Sequence, residues 1–404
     1  MHVCVLTTSY PRWEGDPSGS FVADLVGALL DRAGVSACVL APGDAGAPAL
    51  ERRGRLTVRR LSYAWPGRLQ RLAYGDGIPW NLRRSRVARL NVPFFLAAFA
   101  RALPAEARRA DVVHAHWGIL GALAVLLRPV HRRPVAVTVH GSDLRTTSRA
   151  IRAVTAFAVR HADAVLTPSG EFHEACCRIR GTRAGCHFVP HGVPCPPVGD
   201  VLARRHAGRD AASGCRVVTV GRLIPERRHD LLVRAFARAA AGRPADTLRV
   251  VGDGVQMPAL RALVEQLGLA RRVELVGRVP PAEVLEHLRD ADLYVSPTTV
   301  DNFGTAVVEA AAQALPVITT RVGFPAELVV AGRTGRVVPP DDEDALAEAL
   351  SAMLSLPPEA LAETGRRMRA RVDELGLTWP AAGEKVAGIL ADTTRRRRPP
   401  PARR

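Results

Sequence analysis

Lysine is almost absent from this chain of 404 residues, and Lys385 is the only one. Arginine therefore dominates the 56 basic side chains, which outnumber the 39 acidic ones and leave a formal net charge of +17. Such a charge is more often that of an ordinary solvated surface. The functional alternative is a surface that attracts anions such as nucleotide phosphates, an anionic membrane face or nucleic acid. Aromatic residues are only 5% of the chain and no nucleic-acid-binding motif is visible, so we expect no nucleic-acid partner.

Long apolar runs and paired cysteines are missing as well. No stretch approaches the ~18 uninterrupted apolar residues that a membrane-spanning helix requires. The seven cysteines form no CxxC pair and are typical of small core residues in a reduced cytoplasm. The opening MHVCVLTTSY has neither a basic stretch nor a small-residue cleavage site, so we expect no signal peptide and a cytoplasmic protein. Metal-ligand spacings such as HExxH are absent, and we expect no metal site.

Apolar strand-like runs alternate with helical periodicity along most of the chain. This pattern is typical of α/β proteins with doubly wound parallel sheets, and the length predicts two domains with a core each. Between Pro194 and Gly214 the composition is that of a domain linker. The predicted parts are an N-terminal Rossmann-like domain over 1–195, a C-terminal one over 196–375, a helix over 376–392 that packs back on the first domain, and a disordered basic tail over 393–404.

Candidate functional residues of the first half follow strand-like runs. Gly15 and Gly19 lie in the loop after the first strand, where small residues let the backbone approach a ligand, although a plain connection is the alternative. His114, His116 and His140 fall at strand ends, where a histidine is well placed for proton transfer or hydrogen bonding. His140 stands directly before Gly-Ser-Asp and is the strongest candidate, whereas at least one of the other two is expected to be structural.

The segment from Leu56 to Arg109 mixes many arginines with Trp65, Trp80, Phe94 and other aromatic residues. A basic amphipathic segment of this kind can lie on a membrane surface or frame an acceptor site. The alternative is an ordinary helix with one buried face and its arginines in water.

The second half contains three motifs that suit phosphate and hydroxyl recognition. Arg222 follows a strand in GRLIPERR, where an arginine can bind a phosphate with two N–H groups. The turn VGDG follows the next strand. Asp301 and Glu309 lie eight residues apart around Gly304, at the start of a predicted helix whose free amides favour negative charge. Such a site suits a phosphate with polyhydroxylated groups on either side.

Together, GRLIPERRHDLLVRAF, VGDG and DNFGTAVVEAAAQALPVITTRVGFPAELV resemble the donor-binding domain of family 4 glycosyltransferases. TTSYPRWEGDPSGSFVADLV, VHAHW, VTVHGSD and VPHGV match the looser motifs of that family's N-terminal half. The resemblance implies a GT-B fold, in which two Rossmann-like domains face each other across a cleft. It implies retaining transfer of a hexosyl-type sugar from a nucleotide-diphosphate sugar to a hydroxyl of a glycan, a lipid-linked acceptor or a secondary metabolite, without metal or cofactor.

The resemblance also assigns roles on the donor side. Arg222 and Arg227 would neutralise the diphosphate as it leaves, and Glu309 would accept both ribose hydroxyls. Asp301 would hold hydroxyls of the transferred sugar. The backbone amides expected in the same pocket are those of Phe303, Gly304 and Thr305.

In the N-terminal half, His140 matches the family histidine that contacts the donor sugar near the reacting carbon. Gly19 would allow the acceptor and the phosphate to approach. Gly15 and His116 are expected on the acceptor side with it.

Five positions depart from the family pattern. Asp301 is one carbon shorter than the usual glutamate, so its reach toward the sugar changes. Arg227 and Arg228 replace lysine and glycine, and Phe324 replaces a second glycine. His191 stands where asparagine is common. None of these changes removes a charge that the mechanism needs.

Two other functions remain open at this point. A sugar-nucleotide epimerase of the same fold would use the same phosphate arginines, but it needs further acid and base groups and no acceptor. A non-catalytic nucleotide-sugar-binding protein is the third reading. The expected partners are a nucleotide-sugar and a hydroxyl acceptor, and the basic charge is compatible with peripheral contact at the inner face of the plasma membrane.

Overall fold

A computed structural model describes residues 1–75, 77–206 and 214–397 of the chain. It divides into two units, each with its own sheet and core. Unit 1 is Met1–His191 together with the C-terminal helix from Trp379, and unit 2 is Gly192–Thr378. The boundary therefore falls at residue 192, whereas the sequence places it at 196.

Unit 1 contains an eight-stranded sheet in the order β3-β4-β2-β1-β5-β6-β7-β8, parallel except for the edge pair of β3 and β4. Its central strands are buried on both faces, which explains their almost continuous apolar sequences. The strands are β1 (His2–Leu6), β2 (Ser36–Pro42), β3 (Leu50–Arg53), β4 (Leu56–Leu61), β5 (Val112–His116), β6 (Val135–Thr138), β7 (Ala164–Thr167) and β8 (Cys186–Phe188).

Unit 1 has eight described helices, of which the first seven lie between its strands in the sequence and the last follows unit 2. They are α1 (Ser20–Leu30), α2 (Ile78–Arg84), α3 (Arg86–Arg109), α4 (Gly118–Leu126), α5 (Arg128–His131), α6 (Arg149–His161), α7 (Gly170–Arg180) and α16 (Trp379–Arg397). Helix α16 packs on α1, where Gly383 lies against Ala28 and Arg32 pairs with Glu384 at 3.5 Å.

Helix α3 forms the second part of the basic, aromatic segment, from Arg86 to Arg109. Its first turn is capped by the Ser85 hydroxyl, which accepts the N–H of Ala88 at 3.2 Å. Phe95 and Phe99 are buried in the core, whereas Leu90 and Phe94 are 69% and 61% exposed. The helix thus has the buried face expected of an ordinary helix. It also exposes apolar side chains to solvent.

Unit 2 contains a six-stranded parallel sheet in the order β11-β10-β9-β12-β13-β14. Its strands are β9 (Arg216–Val220), β10 (Thr247–Val251), β11 (Val273–Gly277), β12 (Leu293–Ser296), β13 (Val317–Thr320) and β14 (Gly335–Val338). Its helices are α8 (Val198–His206), α9 (His229–Ala239), α10 (Met257–Gln266), α11 (Pro281–Arg289), α12 (Thr305–Ala312), α13 (Gly323–Leu328), α14 (Glu343–Leu354) and α15 (Pro358–Glu374).

Two segments that the sequence predicts to be irregular, the linker and the C-terminal tail, contain helical residues. Helix α8 occupies residues 198–206 of the predicted linker, where Arg205 is buried and donates to the carbonyl oxygens of Gln313 and Ala314. Helix α16 continues to Arg397, because Thr393 still packs as a buried residue, so residues 393–397 are helical and not a disordered tail. Residues 398–404 lie outside the described residues. None of the described helices combines the length and the apolar character needed to cross a lipid bilayer.

Candidate functional site

In unit 2 the candidate donor residues gather at the switch point of the sheet. Strand β9 lies between β10 and β12, so successive connections leave it in opposite directions. In open α/β sheets this arrangement opens a crevice outside the carboxyl ends of the strands, where ligands bind. Arg222 follows β9, and Asp301 follows β12.

Arg222 lies exposed on the loop after β9. The VGDG turn supports this loop, since the N–H of Leu223 donates to the carbonyl oxygen of Asp253 at 3.0 Å. A side chain at Gly252 would collide with the carbonyl group of Gly221, so the close approach of the two loops requires glycine there. The turn that the sequence singled out therefore holds the arginine loop in place.

Arg227 and Asp301 form an ion pair. Nη1 of Arg227 donates to Oδ2 of Asp301 at 2.6 Å, and the two side chains are 29% and 7% exposed. Arg227 ends a short 3-10 turn, Pro225–Arg227, whose carbonyl at Glu226 accepts the N–H of Thr299 at 2.9 Å. The loops after β9 and β12 are therefore joined through both backbone and side chains.

The remaining predicted donor residues flank the start of α12. Gly304 is the residue before the helix, Thr305 is its exposed first residue, and Glu309 lies half-buried one turn further on. Phe303 is buried and stacks on Phe324 with ring centroids 5.0 Å apart. Phe324, which replaces a glycine of the family pattern, thus backs the loop that carries Asp301.

Tyr294 is a neighbour of this site that sequence reasoning missed. It is fully buried in β12, and its hydroxyl donates to the carbonyl oxygen of Val220 at 3.3 Å. Burial raises the pKa of Tyr294, and the charges of Arg227, Asp301 and Glu309 also act on this pKa. One buried phenol is therefore close to three of the predicted donor residues. The only sequence signal was an aromatic residue in the strand before the loop.

The two residues after Arg227 are fixed within unit 2. Arg228 has a left-handed backbone with φ of 50°, a conformation that glycine adopts at little cost. Its guanidinium pairs with Asp230 and Asp341. His229 follows as a buried residue whose pKa is lowered to about 4, first by burial and then by the charge of Arg227.

In unit 1, His140 lies among stacked aromatic rings at the end of β6. Its ring is parallel to that of His116 at 5.2 Å between centroids and to that of His191 at 5.5 Å. Phe21 and Trp117 close the other sides at 5.0 and 4.6 Å. His140 is 8% exposed, and burial holds its pKa well below its usual range, so the imidazole is neutral at pH 7.

His114 and His116 are both buried under His140. Nδ1 of His116 lies 3.0 Å from Nε2 of His140, and Nε2 of His114 lies 2.8 Å from the hydroxyl of Thr138. His116 is 1% exposed, so its side chain supports His140, whereas the sequence places it on the acceptor side. His114 is structural, and burial lowers its pKa to about 4.

Asp143 joins the His140 loop to α4. Its carboxylate accepts the backbone N–H of His140 at 3.1 Å and that of Gly118, the first residue of α4, at 3.2 Å. Burial raises the pKa of Asp143 to about 6, although these hydrogen bonds lower it in part. The Gly-Ser-Asp sequence after His140 therefore ends in a residue that fixes the backbone of His140.

The two glycines of the first loop have different surroundings. A side chain at Gly19 would collide with the carbonyl oxygen of Ser9, so this close contact within the chain by itself requires glycine at this position. Gly15 is open on its Cβ side. Arg12 pairs with Asp16 at 2.7 Å. Burial alone would raise the pKa of Asp16, but the hydrogen bonds from Arg12 and Ser18 together outweigh burial and lower this pKa to about 2. The loop is therefore fixed by an internal ion pair.

Models of known protein families match residues in both units of the chain. The family model described as glycosyl transferases group 1 matches residues 213–371, and the glycosyl transferase 4-like domain matches residues 18–192. Glycogen synthase of Mycobacterium tuberculosis is 28% identical over 73% of this chain and 72% of its own length. The Anabaena protein Alr3699/HepE, solved in complex with UDP, has a TM-score of 0.73 at 19% identity and covers 97% of this chain and 100% of its own, which shows the shared fold.

The match to D-inositol 3-phosphate glycosyltransferase of Nocardia farcinica reaches 30% identity over 73% of this chain and 70% of that protein. Both units have the doubly wound architecture that GT-B enzymes use twice. The chain therefore belongs to the family 4 glycosyltransferases of the GT-B fold and is an enzyme that transfers a glycosyl group from a nucleotide-sugar.

Proposed function

We propose that this enzyme transfers a hexosyl group to an acceptor hydroxyl with retention at the anomeric carbon and without a metal ion. The observation that carries the proposal is the cluster of Arg222, Arg227 and Asp301 at the carboxyl ends of two neighbouring strands. Two arginines supply the positive charge that a leaving diphosphate requires and that Mg²⁺ supplies in many phosphate sites. The UDP bound to the Anabaena protein supports a nucleoside diphosphate as the leaving group.

The other proposed donor contacts are assigned from where each residue lies in the chain. Glu309 faces the ribose, because a carboxylate can accept two hydroxyl groups at once. The backbone from Phe303 to Thr305 lines the sugar pocket. His140 contacts the sugar near the reacting carbon as a neutral imidazole, since burial holds its pKa well below its usual range.

The proposed reaction occurs on one face of the sugar. The bond between the anomeric carbon and the diphosphate oxygen breaks, and an oxocarbenium-like centre forms. The acceptor oxygen bonds to that carbon from the face that the diphosphate leaves, and its proton passes to the departing phosphate oxygen. The protein contributes position and charge, so that Arg222 and Arg227 stabilise the negative charge as it develops.

Binding of the donor is tested by a panel of uridine, guanosine, adenosine and thymidine diphosphate sugars in thermal unfolding. A donor at about 100 times its Kd stabilises the folded chain by roughly 2.7 kcal/mol, which is a readily measured rise in Tm. We expect one base to stand out, with and without EDTA. Absence of any shift across the panel contradicts the proposed function.

The stereochemistry is tested on the product. With an accepted donor and a simple glycoside or cyclitol acceptor, the anomeric proton coupling in the NMR spectrum distinguishes retention from inversion. We expect the α-linked product from an α-linked donor. A β-linked product contradicts retention, and conversion of the donor to an epimer without acceptor supports an epimerase instead.

We also propose that unit 1 places the enzyme at the cytoplasmic face of an anionic membrane, where lipid-linked acceptors occur. Leu90 and Phe94 are one turn apart on α3 and exposed. Trp80 is 38% exposed, and the guanidinium of Arg84 lies 4.6 Å from its ring. Arg83, Arg86 and Arg89 are close to these residues in the sequence and are exposed as well. Apolar side chains with arginines beside them are typical of helices that lie in a lipid interface.

This proposal predicts binding to vesicles that contain anionic lipid. We expect co-sedimentation with phosphatidylglycerol vesicles, binding that weakens as salt is added, and loss of binding when Leu90 and Phe94 are both replaced by serine. Leu126→Ser is the matched control, because Leu126 is 63% exposed on α4 of the same unit. Equal binding of the double variant and the control contradicts the proposal.

A further inference from the structure

The carboxylate of Asp301 is already hydrogen-bonded within unit 2. Oδ1 accepts the backbone N–H groups of Asn302 at 2.8 Å and Gly304 at 3.0 Å, and Oδ2 accepts Nη1 of Arg227 at 2.6 Å. Asp301 is only 7% exposed. Both carboxylate oxygens are thus bonded to the protein, whereas a residue that reads sugar hydroxyls would direct them toward the ligand.

The length of the side chain suits this arrangement. An aspartate carboxylate readily reaches backbone N–H groups a few residues further along its own loop. The additional methylene of glutamate, the usual residue of the family, would carry the carboxylate away from the amide of Gly304. Asp301 therefore has less reach toward a ligand and a more fixed place in its loop.

Arg227 is fixed by the same loop. The carbonyl oxygen of Glu226 accepts the N–H of Thr299 at 2.9 Å and the hydroxyl of Thr298 at 3.1 Å, so the turn before Arg227 is bound to the loop before Asp301. The guanidinium has five N–H donors in a planar fork. An immobile carboxylate that holds Nη1 restricts the rotamers of Arg227 and leaves other donors to face a ligand.

We propose that Asp301 is a positioning residue, whose carboxylate orients Arg227 for the diphosphate of the donor, and that other groups recognise the transferred sugar. The inference rests on the proposed function, because it takes the donor diphosphate as the ligand of Arg227. In this role Asp301 acts on the diphosphate, which every nucleoside diphosphate donor contains, and not on the sugar.

The two possible roles of Asp301 predict different affinities. They differ in the ratio of the loss of affinity for the nucleoside diphosphate to the loss for its sugar conjugate. Asp301→Asn retains an oxygen for the amides of Asn302 and Gly304 but removes the charge that holds Arg227. If Asp301 orients Arg227, this variant binds the nucleoside diphosphate and its sugar conjugate more weakly by the same factor. We expect about 10-fold for each, which is the scale of a hydrogen bond between charged groups. If Asp301 reads sugar hydroxyls, only the conjugate loses affinity.

Calorimetry measures this ratio with UDP and UDP-glucose, or with GDP and GDP-mannose if the donor panel selects guanosine. Glu226→Gln is the matched control, because it removes one negative charge from the exposed residue beside Arg227 and leaves the ion pair intact. We expect this control to bind both ligands as the unmodified enzyme does.

A double-mutant cycle tests whether Asp301 acts through Arg227. Arg227→Met removes the guanidinium and keeps an unbranched side chain. In that background Asp301→Asn should change nucleoside diphosphate affinity less than about 2-fold, because the partner it orients is absent. An undiminished effect in the Arg227→Met background would show that Asp301 acts by another route.

Each outcome separates the inference from the proposed function. A sugar-selective loss in Asp301→Asn, or tighter binding of both ligands, overturns the positioning role while nucleotide-sugar transfer stands. An unmodified enzyme that binds no nucleotide-sugar of the donor panel contradicts the proposed function, and the inference falls with it. If Asp301→Asn weakens binding of both ligands equally, and this effect disappears in the Arg227→Met background, the result supports the inference and the proposed function.

Discussion

Arg222 and Arg227 carry the same charge in different settings. Arg227 is held by Asp301, whereas Arg222 is exposed on its loop. We expect Arg222→Ala to lower kcat by about 10²-fold or more, because loss of one preorganised charged donor costs this much at a developing oxyanion. The measurement is steady-state transfer with the donor identified by the panel.

Arg228→Gly is the control for this prediction. It removes one positive charge from the same loop, at a backbone conformation with φ of 50° that glycine tolerates. We expect its kcat to remain within about threefold of the unmodified value, since Arg228 pairs with Asp230 and Asp341. Equal losses in the two variants would mean that net charge, and not the position of Arg222, supports transfer.

At the residue scale the sequence predicts where a residue lies in the sheet better than it predicts which side chains it contacts. Arg222, His140 and Asp301 follow parallel strands, so their place at the carboxyl edge of each sheet follows from sequence pattern alone. The bond between Arg227 and Asp301 joins residues 74 positions apart and depends on side-chain angles that no local pattern encodes. Gly19 shows the same limit, because only the fold reveals that Ser9 fills the space beside it.

At the element scale, the contact between α1 and α16 depends on a glycine. A side chain on Gly383 would come within 2.7 Å of Cβ and 2.8 Å of the backbone of Ala28. We expect Gly383→Ala to lower the free energy of unfolding of unit 1 by about 1–3 kcal/mol, the usual cost of overpacking. Urea unfolding followed by tryptophan fluorescence measures this effect, because all five tryptophans of the chain belong to unit 1.

Gly388→Ala on the same helix is the matched comparison. Gly388 is exposed and, among the residues that the structure describes, no atom lies near its Cβ position, so alanine should raise the free energy of unfolding by up to about 1 kcal/mol through helix propensity. A destabilised Gly388→Ala, or an unaffected Gly383→Ala, would show that the helix does not pack closely on α1.

Helical elements were predictable where apolar periodicity is strong and less so elsewhere. The sequence predicts a helix from about Thr305 to Ala314, and helix α12 spans Thr305–Ala312. Helix α8 lies within a segment whose proline and glycine content indicates a linker. Its stability depends on Arg205, whose bonds to the carbonyl oxygens of residues 313 and 314 are formed only in the folded unit.

At the scale of the whole molecule, the histidines of unit 1 make folding depend on pH. His114, His116, His140 and His191 all have pKa values below the ordinary 6.5 because of burial. Between pH 6.5 and about 4 they bind protons in the unfolded chain and not in the folded one, so stability falls as pH falls. Asp143 acts in the opposite direction, because its pKa of about 6 means that the folded state gains one proton there.

The lowered pKa values of these buried histidines outweigh the raised pKa of Asp143, so the unfolded chain binds more protons than the folded chain near pH 5.5 and the free energy of unfolding should fall as pH falls there. We expect urea midpoints from tryptophan fluorescence to drop steeply between about pH 6.5 and 5, and His191→Asn to reduce the slope by roughly 1.4 kcal/mol per unit. His161→Asn is the control, since this histidine is exposed on α6. A flat profile over this range, or equal slopes in both variants, would show that the stacked histidines accept protons inside the folded unit, and His140 would then not be the neutral imidazole on which the proposed reaction relies.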